Sequence, residues 1–164
     1  MIATQSFGLS IPNAEKIIYL AEELDCWTSR DEDKFAHNTT LGKSKFSSLF
    51  ESNMSEELID EIFLSLPEDL KEFHQFIQIQ KYDVGDYILP HKDNYHGSVT
   101  PLIKLHLWSL SSSEYNGITV EQPDGTFKFI VDRAGQYIDF DNNAAWHWVN
   151  PVRVSSRYSL VIGE

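Results

Sequence analysis

The apolar pattern changes period once along the chain, near residue 75, and this change limits the possible folds more than any other feature. Before it, "NAEKIIYLAEELD" at 13–25 sets Ile17, Leu20, Ala21 and Leu24 at helical spacing, with Glu22, Glu23 and Asp25 off that stripe. A second helix is expected from an N-cap at Asn53, with Glu56 three residues on and Leu58, Ile59, Ile62, Phe63 and Leu66 along one face. Pro67 interrupts it and starts a short helix through Phe73. Between the two helices, "TSRDEDKFAHNTTLGKSKFSS" is dominated by charges and hydroxyls. It reads as a solvated loop, with a substrate-facing lid over residues 28–52 as the alternative.

After residue 75 the chain becomes a series of short alternating segments: "FIQIQKY", "LIKLHLW", "GITVEQ", "TFKFIV", "GQYIDF", "HWVNPV" and "RYSLVIG". Turn signals such as "PDG" at 123–125 and "DNN" at 141–143 separate them. Seven or eight antiparallel strands behind helices make the chain mainly β, a double-sheet jelly roll or barrel with the helices packed on one outer face. The expected organisation is one domain over 1–164, with a helical support region at 1–75 and a β core at 76–163. At 164 residues and 41% hydrophobic content the chain can bury such a core.

Charge and cysteine usage narrow the function. A formal net charge of −12 repels phosphate backbones, so nucleic acid is an unlikely partner. Cys26 is the one cysteine, which rules out an intrachain disulfide and a cysteine zinc cluster and points to a reducing compartment. No basic-then-apolar leader and no run of about 18 apolar residues is present, so the expectation is a cytoplasmic protein without a membrane partner.

Three groups of residues carry possible chemistry. In "FIQIQKY", Gln78, Gln80 and Tyr82 share one face, either lining a polar cavity or facing solvent on an edge strand. In "RYSLVIG", Arg157 and Ser159 share a face and together form a carboxylate receptor, unless Arg157 pairs with one of the chain's many acidic residues. In "ILPHKDNYH", His91 and Asp93 lie on one side of extended chain, where each can give one ligand to a divalent metal. His147, in "NNAAWHWVNPV", is the best third ligand, with His37, His74, His96 and His106 as competitors. Two histidines and one carboxylate on one face of a metal leave three positions open, the arrangement of non-heme Fe(II) oxygenases.

The segment "IQIQKYDVGDYILPHKD", 77–93, resembles the Tyr-x-x-Gly…His-x-Asp entry of the Fe(II)/2-oxoglutarate-dependent dioxygenases, in their prolyl 4-hydroxylase-like branch. "DRAGQYIDFDNNAAWHWVNPVRVSSRYSLVIGE", 132–164, is similar to that family's closing segment, where Gly and Phe precede the distal His and an Arg begins the last core strand. The resemblance implies a double-stranded β-helix, with His91, Asp93 and His147 holding Fe(II). It also implies that Arg157, helped by Ser159, binds the far carboxylate of the cosubstrate 2-oxoglutarate, and that Tyr82 reaches toward it. The implied reaction consumes O2 and hydroxylates a C–H bond, in a prolyl or other residue of a peptide or protein. A free amino acid or small metabolite is the alternative substrate, and a non-catalytic cupin-like metal-binding module the alternative function. The chain departs from the family pattern in offering Asn116-Gly117 for the usual Gly-Gly pair. It also has Lys104, His106 or Trp108 where relatives place a cosubstrate-touching Tyr. Trp146 and Trp148, flanking His147, are expected in the core rather than on the pocket wall.

Overall fold

The computed structural model describes residues 7–31, 44–93 and 103–164. Its helices are α1 (Ile11–Leu24), α2 (Glu56–Phe63) and α3 (Glu68–Phe73). α1 starts at Ser10, whose Oγ accepts from Asn13 N at 3.1 Å, and stops at Asp25, which turns left-handed with φ 48°. α2 is capped two residues later than the sequence suggests. Residues Glu51–Asn53 form a 3₁₀ turn, and the Ser55 hydroxyl accepts from Leu58 N instead.

Ten strands occur among the described residues: β1 (Thr28–Asp31), β2 (Ser44–Phe50), β3 (Phe76–Tyr82), β4 (Tyr87–His91), β5 (Leu105–Ser109), β6 (Ser113–Glu121), β7 (Phe127–Asp132), β8 (Tyr137–Ile138), β9 (His147–Val149) and β10 (Arg157–Gly163). All pairings are antiparallel, in the order β7-β6-β9-β4-β2-β3-β10-β5-β8, with β1 on β2. The sheet curls into two packed halves, a double-stranded β-helix.

β1 and β2 correct the expectation of a solvated loop across 28–48. The ends of that stretch are strands, and β2 pairs with β3 through Ser47–Phe50 and with β4 through Ser44 and Lys45. The question of a lid at 32–43 falls outside the described residues. The support region is therefore part sheet, and β3, flanked by β2 and β10, is not an edge strand.

Strand alternation divides the core in two. From β10, Leu160 and Ile162 face the helices and join Ile77, Ile79 and Trp108 against Ala14, Ile17, Leu58 and Ile62. Val161 faces the space between the two halves of the sheet, with Phe46, Tyr82, Leu107, Ile118, Val120 and Val149. Burying each such aliphatic side chain stabilises the fold by about 1.5–3 kcal/mol. The first layer fixes the helices on one outer face. The second leaves room for a cavity. None of the helices among the described residues is long and apolar enough to cross a membrane.

Candidate metal centre and carboxylate pocket

His91 ends β4 and His147 begins β9, and the two are directly paired across that ladder. Their rings lie 4.2 Å apart between centroids. Each ring is oriented in the same way: His91 Nδ1 donates to Leu89 O at 2.9 Å, and His147 Nδ1 donates to Ala145 O at 2.9 Å. A carbonyl oxygen can only accept, so Nδ1 carries a proton on both rings, and each ring in its neutral form turns a bare Nε2 lone pair inward.

Asp93, two residues beyond His91, brings Oδ1 to 3.4 Å from His91 Nε2 and 3.6 Å from His147 Nε2. The three potential ligand atoms lie within 4.8 Å of one another. Three electron-pair donors facing one another without protons between them repel, and a cation at their centre removes the repulsion. The site residues therefore fit a divalent metal, with two nitrogen and one carboxylate donors on one face. Burial works against the charge on Asp93. Contacts from His147 and His91, which favour the carboxylate when their Nε2 atoms carry a proton, together with the Asn142 amide outweigh burial and hold the carboxyl far below the usual carboxylate range; a metal would take the place of those protons.

Asn142 is a site residue that sequence reading passed over as part of a turn. It is buried, and its Nδ2 donates to Asp93 Oδ2 at 2.9 Å and to Ile103 O at 3.1 Å, while its Oδ1 accepts from Leu105 N at 3.0 Å. Its backbone carbonyl accepts from Asp93 N at 2.9 Å. One side chain thus fixes the carboxylate and both ends of the loop leading to β5.

The three candidate ligand residues open onto a cavity of about 150 Å3, whose wall also includes Gln80, Tyr82 and Arg157. Arg157 enters opposite Tyr82 in the β10–β3 register, and its guanidinium lies 5.4 Å from the Tyr82 ring centre. Tyr82 stacks on Phe46, and Phe46 in turn carries Arg30, another cavity residue not foreseen from sequence. Burial drives the Tyr82 phenol well above the ordinary tyrosine range despite the nearby Arg157 and Arg30 charges, keeping it a neutral donor. Gln78 and Ser159 share the face but stay off the cavity wall: Gln78 Nε2 donates to Ser48 Oγ at 2.6 Å, and Ser159 Oγ donates to Gln80 Oε1 at 3.4 Å. Arg157 Nε donates to Asp132 Oδ2 at 2.9 Å, so the arginine does pair with an acid, while its buried Nη2 has no partner among the described residues.

On β5 the register decides against Lys104, His106 and Trp108 as cosubstrate contacts. Leu105 and Leu107 face the cavity. His106 points the other way, to Tyr137 Oη and Glu164, and Trp108 donates its Nε1 proton to Phe7 O. Lys104 Nζ donates to Phe140 O. The site wall on this side is aliphatic. The flanking tryptophans also differ from expectation. Trp148 lies on the pocket wall and packs on Phe127, and Trp146 is 42% exposed with Lys92 over its ring. Among the competing histidines, His74 pairs with Glu51, and His37 and His96 lie outside the described residues.

No family model and no curated protein matches the sequence. Solved structures do match the fold. A prolyl-4-hydroxylase from Pseudomonas putida aligns over 97% of this chain and 89% of its own with a TM-score of 0.65 at 15% identity. A viral collagen prolyl hydroxylase from Paramecium bursaria Chlorella virus-1, in its 2OG complex, aligns over 97% and 92% with a TM-score of 0.57 at 16% identity. A 2OG-Fe(II) oxygenase family oxidoreductase from Burkholderia pseudomallei aligns over 92% and 78% with a TM-score of 0.62 at 15% identity. The chain has the double-stranded β-helix fold that these oxygenases use.

Proposed function

We propose that this chain is an Fe(II)- and 2-oxoglutarate-dependent dioxygenase that hydroxylates a C–H bond. The observation that carries the reading is one small cavity shared by an inward-facing His91, Asp93, His147 set and a buried arginine with an unpartnered nitrogen. A metal-binding barrel without a cosubstrate has no use for the second half of that cavity.

His91, Asp93 and His147 would hold the iron, which when bound supplies the oxygen-activating redox chemistry. Arg157 would hold the far carboxylate of 2-oxoglutarate, with Tyr82 packed on the guanidinium. Ser159 acts one step removed, through Gln80. The aliphatic wall of Leu105, Leu107, Ile118 and Val149 keeps water away, which strengthens every charge interaction inside. Phe140 packs edge-on against the His147 ring at 4.9 Å and keeps that ring from turning.

A peptidyl prolyl substrate is the favoured assignment, supported by two prolyl hydroxylases among the structures of like fold. A free amino acid or small metabolite is the competing assignment, and a cytoplasmic location goes with either. The test is anaerobic titration with Fe(II) and 2-oxoglutarate, following the visible charge-transfer band. A band in the wild type and succinate release driven by a prolyl peptide support the full reading. Tight zinc or manganese binding with no band under any condition refutes the oxygenase and leaves a cupin-like metal module.

A further inference from the structure

The cavity arginine carries its own counter-charge. Arg157 and Asp132 are each 2% exposed, and the Nε–Oδ2 contact is 2.9 Å. A carboxylate beside a guanidinium ordinarily takes two parallel N–H bonds, one from Nε and one from the adjacent Nη. Here the second is not made. Asp132 Oδ1 is turned away and accepts from the Ser109 hydroxyl at 3.1 Å, and Ser109 is itself fully buried on β5. The neighbouring Nη2 is left buried and without a partner among the described residues, on a side chain that lines the cavity. A buried donor left unmade is costly, so a structure that diverts its natural acceptor to a serine keeps that donor for something else.

We propose that Asp132, held by Ser109, is a positioning residue that occupies the Nε edge of Arg157, reserves Nη2 for an incoming carboxylate and offsets part of the guanidinium charge. This rests on the cavity being a 2-oxoglutarate site and specifies how it is tuned. The dicarboxylate meets the arginine end-on, and it binds more weakly than it would to an uncompensated guanidinium. Much of its grip then comes from the metal end, which favours ligands that chelate over simple dicarboxylates.

The test is calorimetric titration of 2-oxoglutarate into protein loaded with Mn(II), a redox-stable substitute for iron, with Mn(II) affinity and thermal stability measured alongside. Ser109→Ala frees Asp132 Oδ1 to swing onto Nη2, and the Kd for 2-oxoglutarate is expected to rise about tenfold, or about 1.4 kcal/mol. Asp132→Asn keeps an oxygen for Nε and an amide proton for Ser109 but removes the charge, and the Kd is expected to fall about tenfold. Mn(II) affinity stays at the wild-type value in both, and in turnover the change falls on KM for 2-oxoglutarate rather than kcat. Wild-type Kd in both variants, or weakening in both that merely follows loss of stability, overturns the proposal. If Asp132→Asn does not fold, Ser109→Ala decides alone, and an unchanged Kd there overturns it. Wild-type protein that binds Mn(II) but no 2-oxoglutarate refutes the cavity reading itself, a result distinct from a cosubstrate that binds but ignores Ser109.

Discussion

Replacing Asn142 by alanine separates the candidate metal site from the fold that supports it. The substitution removes three hydrogen bonds, but the losses are unequal. Ile103 O keeps a second donor, Asn143 Nδ2 at 3.1 Å, so its loss costs little. Leu105 N loses its acceptor, at about 1–3 kcal/mol for a backbone donor left without a partner. Asp93 Oδ2 loses a charge-assisted bond worth about 1.5–3 kcal/mol, part of which water recovers because the Asp93 side chain is 26% exposed. We expect the metal-free protein to lose about 3 kcal/mol in denaturant unfolding. Metal affinity should weaken by a further 10- to 100-fold, the usual effect of removing a group that orients a ligand. The assay is Mn(II) titration under conditions where circular dichroism shows the variant folded. Asn143→Ala serves as control, since the one side-chain hydrogen bond it makes among the described residues is to Ile103 O, and it should leave metal affinity intact. A folded Asn142→Ala protein with wild-type Mn(II) affinity would refute the reasoning, because the two histidines alone would then position Asp93.

Other consequences follow from the same geometry. Arg157→Ala should spare metal binding while raising the 2-oxoglutarate requirement sharply, and should cost about 3–5 kcal/mol of stability by stranding the buried Asp132 charge; urea unfolding with and without 2-oxoglutarate checks both. His91→Ala and Asp93→Ala should each abolish Mn(II) binding, measured by calorimetry, without unfolding the chain. Burial lifts the phenols of Tyr82, Tyr137 and Tyr158, that of Tyr137 to about 12, with Asp139 and Glu164 adding to the effect there and Glu22 at Tyr158. Because the folded state holds these protons longer, their stabilisation is complete below about pH 10 and declines as pH rises through the folded values; phenolate absorbance should rise late and together with unfolding. Gly135→Ala should destabilise by about 3 kcal/mol or more in thermal melts, since Gly135 has φ +86° and an added Cβ would run into the Leu9 carbonyl oxygen.

Regions where burial and polarity agree were legible in the sequence. β3 and β10 fall on the expected residues because Ile77 and Ile79 alternate with Gln78 and Gln80, and Tyr158, Leu160 and Ile162 recur at period two, and spacing and motif pointed to His91, Asp93 and His147, which the fold brings together. β2 was missed because Ser44 and Ser48, two of its buried positions, carry hydroxyls, and a buried serine looks like a loop residue until its neighbours are known. Asn142 and Asp132 were missed for a related reason: their partners are 49 and 25 residues away in the chain, so nothing local distinguishes them from turn residues. The aliphatic side of β5 depended on register. A one-residue shift exchanges Leu105 and Leu107 for His106 and Trp108, and the pairings with β10 and β8 settle which set faces inward. The flanking tryptophans were misplaced because bulk favours burial on average, whereas β9 is three residues long and sits at the edge of the cavity.

The double attachment of β2 bears on how the chain can be divided. Its last residues hydrogen-bond to β3 and its first to β4, so a strand from the N-terminal half joins the two halves of the β core. A fragment beginning at residue 76 would keep His91, Asp93, His147 and the cavity arginine, yet it would lose the strand that spans the corner between β3 and β4. Their exposed backbone edges would then invite pairing with other chains. The part of the chain that contributes none of the three candidate ligands is in this sense what closes the container around them.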